Sequence, residues 1–389
     1  MPLMTEHKII IGDAGTGVGI PMESVDLVVT SPPYPMIAMW DDLFCSRNAR
    51  VAEKLERGKG AEAFELMHRD LEPVWHQVYR VLKPGGFACI NIGDATRTIG
   101  DDFCLYANHA RLLQTLTKIG FSVLPDILWR KQTNSPTKFM GSGMLPAGAY
   151  VTLEHEYILI VRKGGKRVFK TGAEMINRRQ SAIFWEERNE FFSDIWMDLK
   201  GTVQRMGKNE ARSRSGAFPF ELAYRLINMY AVEGDMVLDP FAGTGTVMAA
   251  AMAACRNSVG VEIDPALVPA IQGSTATIVP FANRRIEQRL TGHLAFVQDR
   301  IEQNKPLKYI NQHYGFPVVT NQEKELLINP LKRVDAAGVN TWTVGYGREP
   351  QANYRCEETM AAGLKPVAAG DNAFRKKQGQ MALFEEKFK

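Results

Sequence analysis

The stretch Met236–Met252, MVLDPFAGTGTVMAAAM, constrains the fold more than any other part of this chain. An apolar run ends at Asp239, Gly243 and Gly245 allow a tight turn, and an alanine- and methionine-rich helix is predicted from Thr246 onward. This order is the nucleotide-binding arrangement of α/β folds, because glycine lets the backbone approach a ligand and a helix N-terminus favours negative charge. No Gly-Lys-Ser/Thr follows, which excludes a Walker loop.

A second acidic residue strengthens this interpretation. The next apolar run lies in Ser258–Asp264, SVGVEID, and ends at Glu262. Glu262 follows Asp239 by about twenty residues, the offset at which an acid commonly hydrogen-bonds ribose hydroxyls. A glycine turn alone is a weak signal. Asp-Pro-Phe-x-Gly-x-Gly followed by a correctly spaced Glu is a strong one, and it predicts a site for a nucleoside.

The other informative stretch is TSPPYP, Thr30–Pro35, directly after the apolar run Val25–Val29. The run predicts a buried strand, which the two prolines cannot continue because they lack N–H donors. Their carbonyls therefore have no ladder partners, Ser31 adds a hydroxyl acceptor and Tyr34 adds an aromatic face. Together these groups suit a planar amine. The alternative is a strand followed by a proline-rich turn.

Together, the two motifs resemble the amino-methylating DNA methyltransferases, and the similarity covers roughly residues 7–290. The tetrad Ser31–Tyr34, SPPY, precedes the cofactor motif in Met236–Met252, as in the circularly permuted group called the beta class. The resemblance implies an α/β fold with a Rossmann-like, doubly wound, mostly parallel sheet, and S-adenosyl-L-methionine as methyl donor without a metal. It assigns catalysis to Ser31, Pro32, Pro33 and Tyr34, and cofactor binding to Asp13, Phe218, Asp239, Phe241, Gly243, Thr244, Gly245 and Glu262. In the permuted order, the strand before Asp13 should neighbour the strand that carries Glu262, and the resemblance then implies that Asp13 lies near the adenine amine of the cofactor. An equal alternative for Asp13 is a turn-forming residue.

Strands and helices alternate along the chain, which favours a parallel sheet with an antiparallel end. Among the predicted strands are Phe87–Asp94, FACINIGD, and Ile127–Arg130. We predict a catalytic half at 1–165, a target-recognition insert at 166–215, a cofactor-binding half at 216–300 and a C-terminal extension with a loose tail at 301–389. The insert is rich in cations and aromatic residues, and cations hold phosphates. Its predicted DNA contacts are Lys166, Arg167, Arg178, Arg179, Arg205 and Lys208. The alternative is an ordinary connector whose aromatic residues belong to the core.

The composition indicates the cellular compartment and the kinds of partner that this chain is expected to have. The five cysteines are scattered without a CxxC pair, which argues against zinc ribbons and disulfide frameworks and suits a reducing, cytoplasmic location. We expect no signal peptide, no membrane segment and duplex DNA as the partner, with a cognate restriction endonuclease and a homodimer as further expectations. Near the C-terminus, Gln380, Met381, Leu383 and Phe384 resemble the peptide that docks on the replication sliding clamp. The alternative is a terminal turn packed on its own domain.

The tetrad also bears on the reaction. A base amine is a poor nucleophile, so the base must be flipped out and its nitrogen aimed at the sulfonium methyl. In the resembled family, Ser at the first tetrad position goes mostly with cytosine N4, and Asp with adenine N6. Ser31 therefore predicts N4-cytosine, with N6-adenine as the alternative. An RNA or protein amide methyltransferase and a DNA-binding module without activity are further alternatives.

Overall fold

Among the residues that the computed structural model describes, 3–17, 19–131, 140–141, 143–200 and 218–355, eleven strands form one mixed sheet. The strands of this sheet are β1 Met4–Ile11, β2 Val25–Thr30, β3 Leu82–Ile92, β6 Phe121–Val123, β7 Ile127–Arg130, β10 His155–Lys163, β11 Ile195–Trp196, β12 Met236–Asp239, β13 Asn257–Glu262, β16 Leu331–Gly338 and β17 Thr341–Tyr346. Their order is β11-β7-β10-β3-β2-β12-β13-β1-β17-β16, with β6 paired to β10. Two-stranded pairs are β4 Ala95–Ile99 with β5 Asp102–Tyr106, β8 Met140–Gly141 with β9 Ala149–Tyr150, and β14 Tyr309–Ile310 with β15 Pro317–Val318.

The helices cover both faces of this sheet. Those of the described residues are α1 Asp41–Arg47, α2 Ala49–Glu56, α3 Gly60–Val81, α4 Asn108–Ile119, α5 Gly172–Gln180, α6 Trp185–Phe191, α7 Phe220–Tyr230, α8 Thr246–Ala253 and α9 Val268–Glu302. One core cluster joins the sheet to α3 and α4, and the other joins it to α7, α8 and α9. β2 is buried along its whole length, with Leu27 and Val29 in one cluster and Val28 in the other. A strand covered on both faces explains its continuous apolar run.

The five central strands, β3, β2, β12, β13 and β1, are mutually parallel. The predicted doubly wound, mostly parallel sheet is therefore confirmed. β1 lies beside β13, with Ile11 opposite Glu262, as the permuted order predicted. Because parallel strands share their carboxyl edge, the segments after β1, β2, β12 and β13 meet along one rim. The antiparallel strand β10 brings its amino end, beginning at His155, to the same rim.

The segments outside the two predicted halves also join this sheet. β11 pairs with β7 at one end, and β17 pairs with β1 at the other. The aromatic residues of the insert lie largely in the core, since Phe184, Phe191 and Trp196 are at most 2% exposed. A buried ion pair between Glu187 of α6 and Arg289 of α9, at 2.6 Å, fixes this segment to the longest helix. Whether residues 166–215 recognise the target remains a prediction.

Some predictions lie outside the described residues. They are the DNA contacts at Arg205 and Lys208 and the clamp-binding peptide Gln380, Met381, Leu383 and Phe384. In the part of the chain that the structure describes, no helix is both long enough and apolar enough to cross a bilayer. The same residues hold no cluster of three or more His, Cys, Asp or Glu side chains that could bind a metal.

Candidate active site

The two sequence motifs meet at the carboxyl edge of the sheet. β2 and β12 are parallel neighbours, with Val28 opposite Leu238. The next residues along each strand therefore come together, and the Thr30 hydroxyl donates a 2.6 Å hydrogen bond to Oδ1 of Asp239. Ser31 follows Thr30 directly. A hydroxyl that begins the tetrad and a carboxylate that ends the cofactor strand thus share one rim, although about two hundred residues separate them in sequence.

The tetrad has the backbone that its prolines predict. The ladders of β2 end at Thr30, and Pro32 and Pro33 lie buried beyond the last strand pair. Side-chain hydrogen bonds fix the orientation of the remaining two residues. Ser31 Oγ donates to the Tyr34 hydroxyl at 2.9 Å, and that hydroxyl donates to Oε2 of Glu156 at 2.9 Å. Because the Ser31 hydroxyl donates its proton to Tyr34, the lone pairs of its Oγ can accept from a ligand.

Three side chains that sequence reasoning missed complete this network. Asn91, at the end of β3, donates from Nδ2 to Tyr34 Oη and to Glu156 Oε2, both at 2.7 Å. Lys131, just after β7, pairs with Oε1 of Glu156 at 3.0 Å. Burial and the Glu156 charge raise the pKa of Tyr34 well above its ordinary value, so its hydroxyl keeps its proton. The sequence did contain a signal for these three residues, since each is a polar residue near the rim end of an apolar strand.

Gly93 makes room for this arrangement. A Cβ at position 93 would lie 3.1 Å from Cε2 of Tyr34 and 3.2 Å from Cγ of Glu156. The tyrosine ring therefore packs directly over the backbone of this glycine. A side chain here would displace Tyr34 or Glu156, which indicates that glycine follows the end of β3 for a packing reason.

The glycine turn after β12 adopts the predicted form. Gly243 and Gly245 have positive φ values of 53° and 82°, a region that other residues enter at a cost. A Cβ at Gly245 would also lie 3.2 Å from Ile271 Cγ2. Glu262 anchors the turn, since its Oε2 accepts from the Gly243 N–H at 2.7 Å and its Oε1 accepts from the Asp264 N–H at 2.9 Å. α8 then starts at Thr246.

The two acidic residues of this turn are poised for a ligand. Asp239 is 6% exposed and Glu262 is 7% exposed. Burial raises the pKa of Asp239 to about 7 and raises the pKa of Glu262 as well. Buried carboxylates gain most from a ligand that brings positive charge or hydroxyl donors. A nucleoside that carries an ammonium group and a ribose diol, such as S-adenosyl-L-methionine, fits these two acceptors.

The remaining predicted cofactor residues have clear structural contacts. Asp13 caps the short turn after β1, accepting from Gly15 N at 2.8 Å, and pairs with Arg47 at 2.8 Å. This geometry agrees with the turn-forming alternative, and a contact from Asp13 to the adenine remains a prediction. Phe241 packs on Trp75 with ring centroids 6.0 Å apart. Phe218 is buried before α7.

The four predicted DNA contacts that the structure describes do not join this rim. Arg167 pairs at 2.6 Å with Asp235, which precedes β12, and at 3.5 Å with Asp26, near the start of β2. Asp26 lies five residues before Ser31, roughly 16 Å along an extended strand. Lys166, Arg167, Arg178 and Arg179 line a cavity at this amino edge. These four side chains lie away from the rim because β10 runs antiparallel to β3 and delivers the chain after Lys163 to the opposite side. Whether they contact DNA remains a prediction.

Comparisons with known proteins agree with this geometry. A family described as DNA methylase, covering methylation at N6 and N4, matches residues 25–273. The Type II methyltransferase M.MthZI of Methanothermobacter thermautotrophicus is 50% identical over 325 residues, 83% of this chain and 90% of the relative. M.MjaI of Methanocaldococcus jannaschii is 50% identical over 281 residues, covering 69% and 91%.

Solved structures also show similarity to DNA methylases. TTHA0409 of Thermus thermophilus, a protein with a proposed role as a DNA modification methylase, has been solved with bound S-adenosyl-L-methionine. It is 32% identical, covers 70% of this chain and 93% of its own, and superposes with a TM-score of 0.53. S-adenosyl-L-methionine is the cofactor. The chain belongs to the N6/N4 DNA methylase family and is a DNA methyltransferase.

Proposed function

We propose that this enzyme methylates the exocyclic N4 of cytosine in duplex DNA at specific sites, after flipping the base out of the helix. The observation that carries the proposal is the Ser31 hydroxyl, which donates its proton to the Tyr34 hydroxyl at 2.9 Å and so keeps its lone pairs to accept. The amine of cytosine needs an acceptor for its hydrogen but no proton donor. A neutral hydroxyl held as an acceptor meets that need.

The cofactor brings the methyl group as part of a sulfonium. Asp239 and Glu262 would hold its ammonium and ribose groups, and the Gly243–Gly245 turn would let the backbone approach them. Ser31 Oγ and the Pro32 carbonyl accept the hydrogens of the target amine, and Tyr34 offers an aromatic face to the flipped ring. Glu156 and Asn91 hold Tyr34 in place. Proximity and orientation supply most of the acceleration.

Adenine N6 is the alternative target, because the same pocket elements accept an amine on either ring. The experiment incubates purified enzyme with unmethylated plasmid DNA and the methyl donor, digests the DNA to nucleosides and measures them by mass spectrometry. N4-methyldeoxycytidine is expected, and N6-methyldeoxyadenosine alone would refute the cytosine assignment. Labelled-methyl transfer to RNA and to protein in parallel distinguishes the remaining substrate classes, and no transfer at all would support a binding module without activity.

Both archaeal relatives are called Type II methyltransferases. By analogy, we infer a modification role in which methylation protects sites from a cognate restriction endonuclease. Sequencing of DNA from cells that express the chain gives the methylated motif. Challenge of that DNA with endonucleases that cut the motif tests protection. A homodimer and docking on a sliding clamp remain predictions from the sequence.

A further inference from the structure

A large cavity in the described part of the chain lies away from the active site. It has a volume of about 1130 Å³ and lies at the amino edge of the sheet, between the starts of β2 and β3, helices α5 and α6, and the end of α7. Its walls carry six cations from three parts of the chain, and Asp26 is the only carboxylate among the described residues that line it. Those cations are Arg162, Lys166, Arg167, Arg178, Arg179 and Arg188.

Two of these cations pair with carboxylates, and Arg162 Nε donates to the Gly164 carbonyl at 3.0 Å. Arg167 pairs with Asp235 at 2.6 Å, and Arg179 pairs with Glu325 at 3.0 Å. The others are committed to no carboxylate in the described residues. Arg178 lies over the Phe169 ring at 4.8 Å, and Arg188 lies over the Phe192 ring at 5.5 Å. Aromatic faces orient guanidinium groups without neutralising their charge, so the cavity keeps a strong positive potential.

A purely structural explanation covers only part of this set. Arg178 and Arg179 stand in the last turn of α5, and Arg188 stands in the last turn of α6, where a cation is favourable next to a helix C-terminus. The same argument does not apply to Arg162 at the end of β10 or to Lys166 in the following loop. Like charges from separate elements that converge on one cavity repel each other. Their convergence indicates a polyanionic ligand.

From this cavity we propose a second DNA-binding site, which holds the phosphate backbone of a duplex segment other than the one that carries the target base. The proposal rests on the enzyme's action on duplex DNA. The cavity and the carboxyl rim lie at opposite edges of the sheet, roughly 16 Å apart along β2, so a straight duplex that lies along the rim does not run through the cavity. The ligand contacts are guanidinium and ammonium groups, which hold phosphates without reading sequence. Such a site keeps the enzyme on long DNA while the active site samples bases.

The test counts duplexes per chain. A fluorescent duplex of about 14 base pairs, too short to bend around the protein, is titrated at low salt against the full chain. Sedimentation measures the number of duplexes bound per chain, with one wavelength for the protein and one for the fluorescent label on the DNA. Wild type is expected to bind one duplex more per chain than the triple variant Lys166→Gln, Arg178→Gln, Arg188→Gln. A plot of log K against log salt concentration for that extra binding should have a slope of about −2.7 if the three substituted cations each neutralise one phosphate, since each contributes about −0.9.

The matched control removes the same charge from exposed residues at the other end of the sheet, in the triple variant Lys8→Gln, Lys332→Gln, Arg333→Gln. It should bind like wild type. Each variant is shown to be folded if S-adenosyl-L-methionine raises its thermal unfolding temperature. Equal duplex ratios for wild type and the cavity variant, or an equal loss in the control, overturn the proposal. So does displacement of the extra duplex by RNA at lower concentration than by unlabelled DNA.

The outcome is independent of which base is methylated. If nucleoside analysis showed adenine methylation, the count of bound duplexes would be unaffected. If the extra duplex were absent while methyl transfer proceeded, the second site alone would be wrong.

Discussion

Replacing Asp239 with asparagine tests the electrostatic description of the cofactor site. Asp239 is buried, and its pKa lies at about 7, above an ordinary value near 3.9. As pH rises from about 4 to about 7, the unfolded chain loses this proton while the folded chain keeps it. Folding stability therefore falls across that window by about 4 kcal/mol, at about 1.4 kcal/mol for each pH unit between the two pKa values. Above pH 7 the folded apoprotein carries the full cost of the buried charge.

The asparagine side chain removes this titration and keeps the Oδ1 acceptor for the Thr30 hydroxyl and for the Phe241 N–H. We expect the Asp239→Asn apoprotein to be more stable than wild type at pH 8, by up to about 4 kcal/mol, and to lose that advantage at pH 4. Cofactor binding should change in the opposite direction. Loss of a charge-assisted hydrogen bond of about 1.5–3 kcal/mol raises Kd by roughly 10- to 100-fold.

The assay is urea unfolding at pH 4.5, 6 and 8, with and without S-adenosyl-L-methionine, and calorimetric titration of the cofactor. Asp235→Asn is the matched control, since Asp235 is buried to the same extent but pairs with Arg167 at 2.6 and 2.9 Å. That variant should lose stability at every pH where the pair is charged. If Asp239→Asn were no more stable than wild type at pH 8, or if its advantage did not shrink toward pH 4.5, the burial argument would be refuted.

Three further outcomes are expected. Ser31→Ala should reduce turnover by roughly 100-fold or more with cofactor affinity within about two-fold, and a full rate would remove its catalytic role. Glu156→Gln should lower kcat more than it lowers cofactor affinity. The Gln amide can donate to the Tyr34 hydroxyl, which would then donate to Ser31, so that Ser31 no longer keeps its lone pairs for the target amine. An unchanged kcat would contradict this. Arg289→Ala should destabilise the fold by about 3–5 kcal/mol in urea, because it leaves a buried charge unpaired, whereas exposed Arg333→Ala should cost under about 0.5 kcal/mol.

The sequence predicted those features that depend on a few neighbouring residues. The strand, turn and helix of Met236–Met252 were predicted closely, because only glycine enters the positive-φ region at low cost. The end of β2 at Thr30 was predicted because proline cannot donate to a ladder. β7 matches its predicted bounds, Ile127–Arg130. By contrast, β3 begins at Leu82, although its strand was predicted from Phe87, since pairing with Val25 extends it through a register shift.

Other properties came only from the tertiary structure. Glu156 and Asn91 reach the tetrad because β10 and β3 pair antiparallel, and no local pattern indicates that pairing. The raised pKa of Asp239 depends on burial by distant elements. The cations after Lys163 face the amino edge because β10 reverses the chain direction there. Backbone chemistry sets turns and strand ends within a few residues, whereas strand order and burial depend on contacts between segments far apart in sequence.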